Sequence, residues 1–456
     1  MIKESNVMNK IYLKRLMIIA VPLMLSNVIS QVQMLIDRIF LGQMNTYYMS
    51  ALGNVTAPMW TTMSFCFTLA TGASIIISQN VGAGNREQVE KYGASLIKWN
   101  NILPVLLFFF WLFLGEFVFR LMGVSDEIMP MCLGYTRFFA PSFLIVGLES
   151  SFMVIMQTSN YTKPMILYGI IRAGLNILLD WILIFGNLGF PMLGIEGAAI
   201  ATTAAEFAGC IFATFVMVKN KAVTTRPSLK SVLKAPIKPF LSSVGLGINA
   251  GLEDLAWNIG NLVIIRILNS IDVTAAGIYS IVFSVEVLVV VVISAIGNGT
   301  MTISGEARGM GDVKMFTGVC KIAYILCAAV SLITLVICLA IPESILSLFT
   351  KDEGIITTCG IYLALVCVNL FGKSGNIIVG SGIRGSGNTR WMFMTQIFGT
   401  FFVVGCACLF VYGLGLGIIG VFFAVIADEG VRAVINLFKL KRITGNWNQE
   451  ASSVLA

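Results

Sequence analysis

Not one of the 456 residues is a histidine. That absence removes Ser/His and Cys/His nucleophile–base pairs, a Cys/His zinc site, and the side chain that most often carries protons near neutral pH. Charge is scarce as well. Asp, Glu, Lys and Arg make up 12% of the chain, where an ordinary soluble domain carries about 25%. No CxxC pair occurs; the ten cysteines, mostly inside apolar runs, read as small apolar fillers rather than as a disulfide or metal framework. Period-two alternation is missing, which disfavours a β-barrel. Gly82-Ala-Gly84 and Gly385-Ser-Gly387 follow no strand, and no Gly-Lys-Ser/Thr phosphate loop stands in context. Without an ATP site, uphill work has to draw on an ion gradient or an external partner.

What is present is apolar. Hydrophobic residues make up 57% of the chain, Gly occurs 44 times, and the mean hydropathy is +0.88. Twelve runs reach the roughly 20 apolar residues a spanning helix needs. The first six cover about 14–41, 50–80, 95–121, 131–157, 165–186 and 195–218; the second six cover about 238–268, 274–304, 315–341, 355–381, 391–413 and 417–440. Lipid leaves no partner for bare backbone polar groups, so each run is expected to be helical. The first run has no small-residue cleavage site after it and reads as a helix, not a removed signal peptide.

Basic residues set the orientation. Lys3, Lys10, Lys14 and Arg15 precede the first helix, and six basic residues with no acid lie between Lys219 and Pro239. Lys163, Arg384, Arg390, Lys439, Lys441 and Arg442 fall on the same side. The opposite loops (Asn45–Tyr48, Asp126 and Glu127, Asp272, Glu343 to Glu353) are neutral or acidic. This reading puts both termini in the cytoplasm of a multi-pass plasma-membrane protein. The basic linker is expected to be a solvated, topology-setting loop, or a contact for lipid headgroups. The net charge of +7 needs no nucleic-acid partner.

The chain also repeats. Shifted by 227 residues, Gly82-Ala-Gly84-Asn85 falls on Gly309-Met-Gly311-Asp312, and Ser159-Asn-Tyr-Thr162-Lys163 falls on Ser386-Gly-Asn-Thr389-Arg390. After a four-residue gap, Leu193-Gly-Ile-Glu-Gly197 falls on Leu416-Gly-Ile-Ile-Gly420. Six helices per half return the chain to the side it entered from, so the repeat is parallel. The expected fold is an all-α polytopic membrane protein: twelve transmembrane helices in two parallel six-helix repeats around a central cavity. Its N-terminal lobe is 1–218, its cytoplasmic basic linker 219–237 and its C-terminal lobe 238–456.

Met34-Leu-Ile-Asp37-Arg38-Ile-Phe-Leu-Gly42 resembles the first-helix signature of the MATE (multidrug and toxic compound extrusion) transporters. So do Gly82-Ala-Gly84, Asn176-Ile-Leu-Leu-Asp180, Gly197-Ala-Ala-Ile-Ala-Thr202 and Gly382-Ile-Arg384-Gly-Ser-Gly387-Asn-Thr389-Arg390. The resemblance runs from about Arg15 to Arg442. It departs at Gln157-Thr-Ser-Asn-Tyr-Thr162, where the family often has a glycine-rich turn, and at Asp254 directly after Glu253. It implies an antiporter that exports organic cations in exchange for H⁺ or Na⁺, with no other cofactor.

Charge inside a span costs about 2.5–3.5 kcal/mol on insertion scales and therefore needs a reason. Asp37, Asn176, Asp180 and Thr202 share a depth in the outer half of the first lobe. Two carboxylates, an amide and a hydroxyl can hold a proton or coordinate Na⁺. The resemblance gives the matching positions to the ion-coupling network; the alternative is a structural pair of Asp37 with Arg38 or Arg172. In the second lobe Glu253 and Trp257 share a helix face, and Glu286 lies midway through its own helix. An acid beside an aromatic suits a lipophilic cation. Alternatively Arg266, Lys321 or Lys373 neutralises these acids; Lys373 reads as a salt-bridge partner, and Asp428, Glu429 and Arg432 as an ion-pair group ending the last helix near the cytoplasm. Competing functions are a lipid-linked precursor flippase, which would need basic residues in the cavity, a channel, and, remotely, an intramembrane enzyme. The partners expected are small organic substrates and membrane lipids, with the monomer as the functional unit.

Overall fold

The computed structural model describes residues 2–272, 274–348 and 353–455, and every regular element among them is helical. The chain opens with α1 (Ile2–Met44), α2 (Thr46–Gly82), α3 (Arg86–Trp99), α4 (Ile102–Leu121), α5 (Met129–Phe139), α6 (Phe143–Thr158), α7 (Lys163–Leu183) and α8 (Ile195–Lys219). A short α9 (Leu229–Lys234) leads to α10 (Lys238–Ile271), α11 (Ala275–Met310), α12 (Val313–Ala340), α13 (Pro342–Leu346), α14 (Glu353–Gly385), α15 (Thr389–Cys408) and α16 (Gly417–Leu455). Two spans are broken: α3 and α4 meet at Asn100–Asn101, and α5 and α6 meet at a 3₁₀ turn containing Pro141. Counted as joined pairs, these give six spans before the linker and six after it. Ten of the twelve are apolar enough to cross a membrane by length and composition; α10 and α16 are as long but fall outside that set.

The sequence-drawn cores all fall on helices. What the hydropathy undershoots are the polar ends of α1, α11 and α16, where the helix continues past the stretch that lipid would cover. Outward faces are apolar. On α4, Phe109, Phe113 and Phe117 stand one turn apart, and Phe113 is 73% exposed. In water such a stripe is an aggregation liability; against acyl chains it is the solvated surface. All ten cysteines are free.

Packing groups the chain into two compact units: 21–77 with 85–248, and 1–20 with 78–84 and 249–456. The lobes drawn from the repeat follow chain order, whereas these units follow contact. Each unit takes in the first part of a helix whose remainder belongs to the other, and the boundary in α1 falls beside Pro22. The repeat is visible in the packing. A Cβ at Gly82 would strike the Glu306 carbonyl, and one at Gly309 would strike the Gln79 carbonyl. The same 227-residue offset relates both members of the contact. It also relates Gly72, set against Ser243 in one unit, to Gly299, set against Leu16 in the other. At Gly72, Gly82 and Gly309 glycine is required because the backbones touch.

The linker departs from the solvated loop expected. Ser95 Oγ donates to Pro236 O at 2.7 Å, Lys98 Nζ to Leu233 O at 2.7 Å, and Trp99 Nε1 to Ala235 O at 3.1 Å. Glu90 Oε1 accepts from Ser231 Oγ at 2.6 Å, and Thr225 is buried. Three of its carbonyls are therefore tied to α3, while its lysines stay exposed. Two further placements differ. Arg384 lies within α14, not in a loop. Asp428, Glu429 and Arg432 sit about 17–23 Å along α16 at 1.5 Å per residue, near the middle of a span and buried. Between α10 and α11, Asp272 Oδ1 accepts from Thr274 N at 2.7 Å and from its Oγ1 at 2.8 Å, which holds that carboxyl below the usual range. Lys351 and Asp352, in the acidic loop read from the sequence, lie outside the described residues.

Candidate functional site

The first constellation is built on α1, α5, α7 and α8. Asn176 and Asp180, one turn apart on α7, are both fully buried. Small residues bring the neighbouring helices close enough to meet them. A Cβ at Gly197 of α8 would lie 2.7 Å from the Leu183 backbone of α7, and one at Gly169 of α7 would lie 3.0 Å from Ser26 Oγ of α1. Asp37 thereby reaches Asp180, and the two carboxyl groups lie side by side. Such a contact needs a proton, or a cation in its place, because two bare carboxylates repel.

The surrounding groups complete a polar shell. With its amide oriented to satisfy both sides, Asn176 donates to Asp37 Oδ1 at 2.9 Å and accepts from Thr202 Oγ1 at 3.3 Å. Tyr135 is hydrogen-bonded to Thr202. Gln33 Nε2 lies 2.7 Å from the Asn176 amide nitrogen, so Gln33 also belongs to the shell. One buried oxygen in it, Asp180 Oδ1, has no hydrogen-bond partner. Asp37, Asn176, Asp180 and Thr202 are thus brought together. Gln33 and Tyr135 were passed over in the sequence; both are polar groups on the inner faces of spans, and that was the available signal. Arg172, a possible partner of Asp37, is engaged instead by Glu206 at 3.0 Å. No group of three or more His, Cys, Asp or Glu side chains suited to a metal ion occurs among the described residues.

The second constellation lies wholly within the unit containing 249–456. A cleft is walled by Trp257, Tyr279 and Phe283 and floored by Glu286, Asp428 and Glu429. The rings are stacked: Tyr279 and Phe283 stand 5.9 Å apart at 12°, and Trp257 and Phe283 stand 6.3 Å apart at 26°. The acids share two cations. Lys373 Nζ is 2.6 Å from Glu286 and 3.8 Å from Glu429, while Arg432 is 2.8 Å from Asp428 and 3.3 Å from Glu429. Asn369 donates to Glu286 at 3.0 Å and Asn376 to Glu429 at 2.9 Å. Three carboxylates against two cations leave one negative charge in excess.

Trp257 and Glu286 therefore meet at this cleft, but Glu253 does not. It is held by Arg384 at 2.5 Å and 3.3 Å and is absent from the cleft lining. The partner is 131 residues away in sequence, beyond the reach of helical periodicity. Asp428 and Glu429 line the cleft in its stead. Lys373 is a salt-bridge partner, as its burial inside a span requires.

The MatE family model matches residues 22–182 and 250–426. Among curated proteins, the chain is 28% identical to a probable multidrug resistance protein NorM of Thermotoga maritima, over 96% of this chain and 94% of that protein. It is 24% identical to the uncharacterized transporter YisQ of Bacillus subtilis, over 88% of each. Among solved structures, a MATE protein in a bent conformation superposes with a TM-score of 0.88 at 20% identity, covering 98% of this chain and 99% of that one. A MOP superfamily transporter from Pyrococcus furiosus superposes with a TM-score of 0.84 at 20% identity, covering 95% and 96%.

Proposed function

We propose that this chain, which belongs to the MatE family of membrane transporters, is a secondary antiporter that exports organic, often cationic, compounds in exchange for H⁺ or Na⁺ by alternating access. The observation that carries the reading is the contact between Asp37 and Asp180, buried in a shell of Asn176, Thr202, Tyr135 and Gln33. Two carboxyl groups that can coexist only around a proton or a metal cation form a site whose charge state follows an ion gradient. The acidic cleft supports the cargo side. Its stacked rings offer apolar and π surface, and its excess negative charge favours a cation. Relatives named as multidrug resistance proteins support drug-like substrates.

Lys373 and Arg432, the basic groups a lipid-diphosphate flippase would use, are each spent on carboxylates. That favours cationic cargo over anionic. The lobes 1–218 and 238–456, joined by the basic linker, would act as a monomer in the plasma membrane with both termini in the cytoplasm.

The test is transport in proteoliposomes. Asp37→Asn and Asp180→Asn are each expected to abolish drug-stimulated H⁺ or Na⁺ movement while the protein keeps its gel-filtration profile. Wild-type rates in either variant would refute the reading. Dissipating the H⁺ and Na⁺ gradients in turn identifies the ion.

A further inference from the structure

Inward of the aspartate pair, the same lobe holds a second buried charge cluster. Along α7, Tyr168, Arg172, Asn176 and Asp180 follow at intervals of four and share one face. Along α1, Ser26, Ser30, Gln33 and Asp37 share a face at intervals of four, three and four. Both stripes run from the aspartate pair towards Glu149 of α6 and Glu206 of α8. Tyr168 donates its hydroxyl to Glu149 Oε1, and Arg172 donates to Ser30 Oγ. Arg172 Nη1 is 3.0 Å from Glu206 Oε1 but 3.8 Å from Glu149 Oε1. The guanidinium is thus committed to Glu206. Glu149, 6% exposed, keeps a neutral phenol as its close donor. Two acids on one arginine leave a buried excess charge, and the geometry assigns that excess to Glu149.

The internal repeat argues that this acid is not there for packing. The 227-residue offset puts Glu149 on Asn376, and the 223-residue offset that holds after the gap puts Glu206 on Glu429. The second lobe thus keeps the same two positions in contact, with Asn376 donating to Glu429 Oε2 at 2.9 Å. An amide serves the fold at that place. The first lobe carries instead an acid whose ionised form is costly, beside a shell in which Asp180 Oδ1 has no partner.

We propose that Glu149 is a second proton-binding site of this lobe, linked through Arg172 to the site at Asp37 and Asp180. The inference rests on the ion-coupling reading above and extends it inward by two helical turns. Among the described residues, the titratable or charged groups acting on Glu149 are Tyr168 and Arg172 from α7 and Glu206 and Cys210 from α8, and α1 presents the Ser30 hydroxyl to Arg172. A proton bound to the Glu149 carboxylate makes the cluster neutral; no other bond forms or breaks. Arg172 stands about 12 Å from Asp180 along α7, near enough inside a low-dielectric span for its charge to be felt at both sites. Protonating Glu149 leaves that charge less divided, which favours the ionised aspartate pair and the release of its cation. Deprotonating Glu149 reverses this. Occupancy of the two sites would therefore alternate, moving a charge along the lobe one site at a time.

The experiment is acid-induced infrared difference spectroscopy on the purified full chain in lipid, reading the C=O stretch of protonated carboxyl groups. The wild type is expected to show separable contributions from Glu149 and from the aspartate pair. Glu149→Gln, which places an amide where the second lobe already has one, should remove one band and displace the pH midpoint of the other by at least a factor of ten in proton concentration. Retention of both bands, or a remaining midpoint that does not move, overturns the proposal. If the Gln variant does not fold, Glu149→Asp keeps a carboxyl there. A displaced midpoint for its own band then supports the site, and an unchanged spectrum overturns it. Failure of the ion-coupling reading is separate: it would show as wild-type transport in Asp37→Asn, whatever the infrared bands of Glu149 do.

Discussion

At the scale of the residue, each buried charge has to be matched, and the two lobes do this differently. In the second lobe Lys373 serves two acids, Glu286 and Glu429, from a position that is 9% exposed. Removing one partner of a buried pair strands the others at a cost of about 3–5 kcal/mol. Lys373→Ala should therefore lower the melting temperature in detergent well below that of a surface lysine variant, with Glu286→Gln on that background recovering part of the loss. No recovery would mean that Lys373 acts by packing its stem. In the first lobe the aspartates have each other instead. Four of the residues that meet there were legible in the sequence, because a carboxylate in a lipid-spanning run is conspicuous. Glu149 and Glu206 are equally conspicuous by that criterion and were passed over. The pairing of Glu253 with Arg384 was not legible at all, since nothing local announces a partner on another helix.

At the scale of the element, spans were legible because lipid requires length and apolarity, and the helix cores fall where hydropathy puts them. Helix ends beyond the bilayer obey ordinary propensity and capping, so α1, α11 and α16 run longer than hydropathy indicates. The docking of the linker against α3 was hidden for another reason: lysine-rich sequence reads as solvated, yet its backbone carbonyls are good acceptors for Lys98 and Trp99. Close helix contacts give the sharpest prediction here. Gly82→Ala and Gly309→Ala each drive a methyl group into a backbone carbonyl that cannot yield as a side chain would. Overpacking of this kind costs about 1–3 kcal/mol. The repeat requires the two variants to lose similar amounts in a thermal melt. A large effect at one position and none at the other would show that the two contacts are not equivalent.

At the scale of the whole molecule, the lobes of the sequence and the compact units of the fold are not the same division. The unit holding 249–456 also contains residues 1–20, with Leu16 and Ile19 against Gly299. Residues 238–456 expressed alone would lack that covering. They are expected to be protease-sensitive and to give a stable species only when 1–237 is co-expressed. A resistant, monodisperse C-terminal half would contradict this. The twofold relation itself was legible from a handful of motif matches, but the exchange of helix ends was not, because an offset between sequences says nothing about which copy a segment packs against.

The paired contact of Gly82 with Glu306 and Gly309 with Gln79 has a corollary. Surface i touching surface j while j touches i is the rule of an isologous dimer interface. A chain built this way needs only one good surface, used twice, to make both halves of the contact. Matching positions can still differ, as Glu149 and Asn376 do.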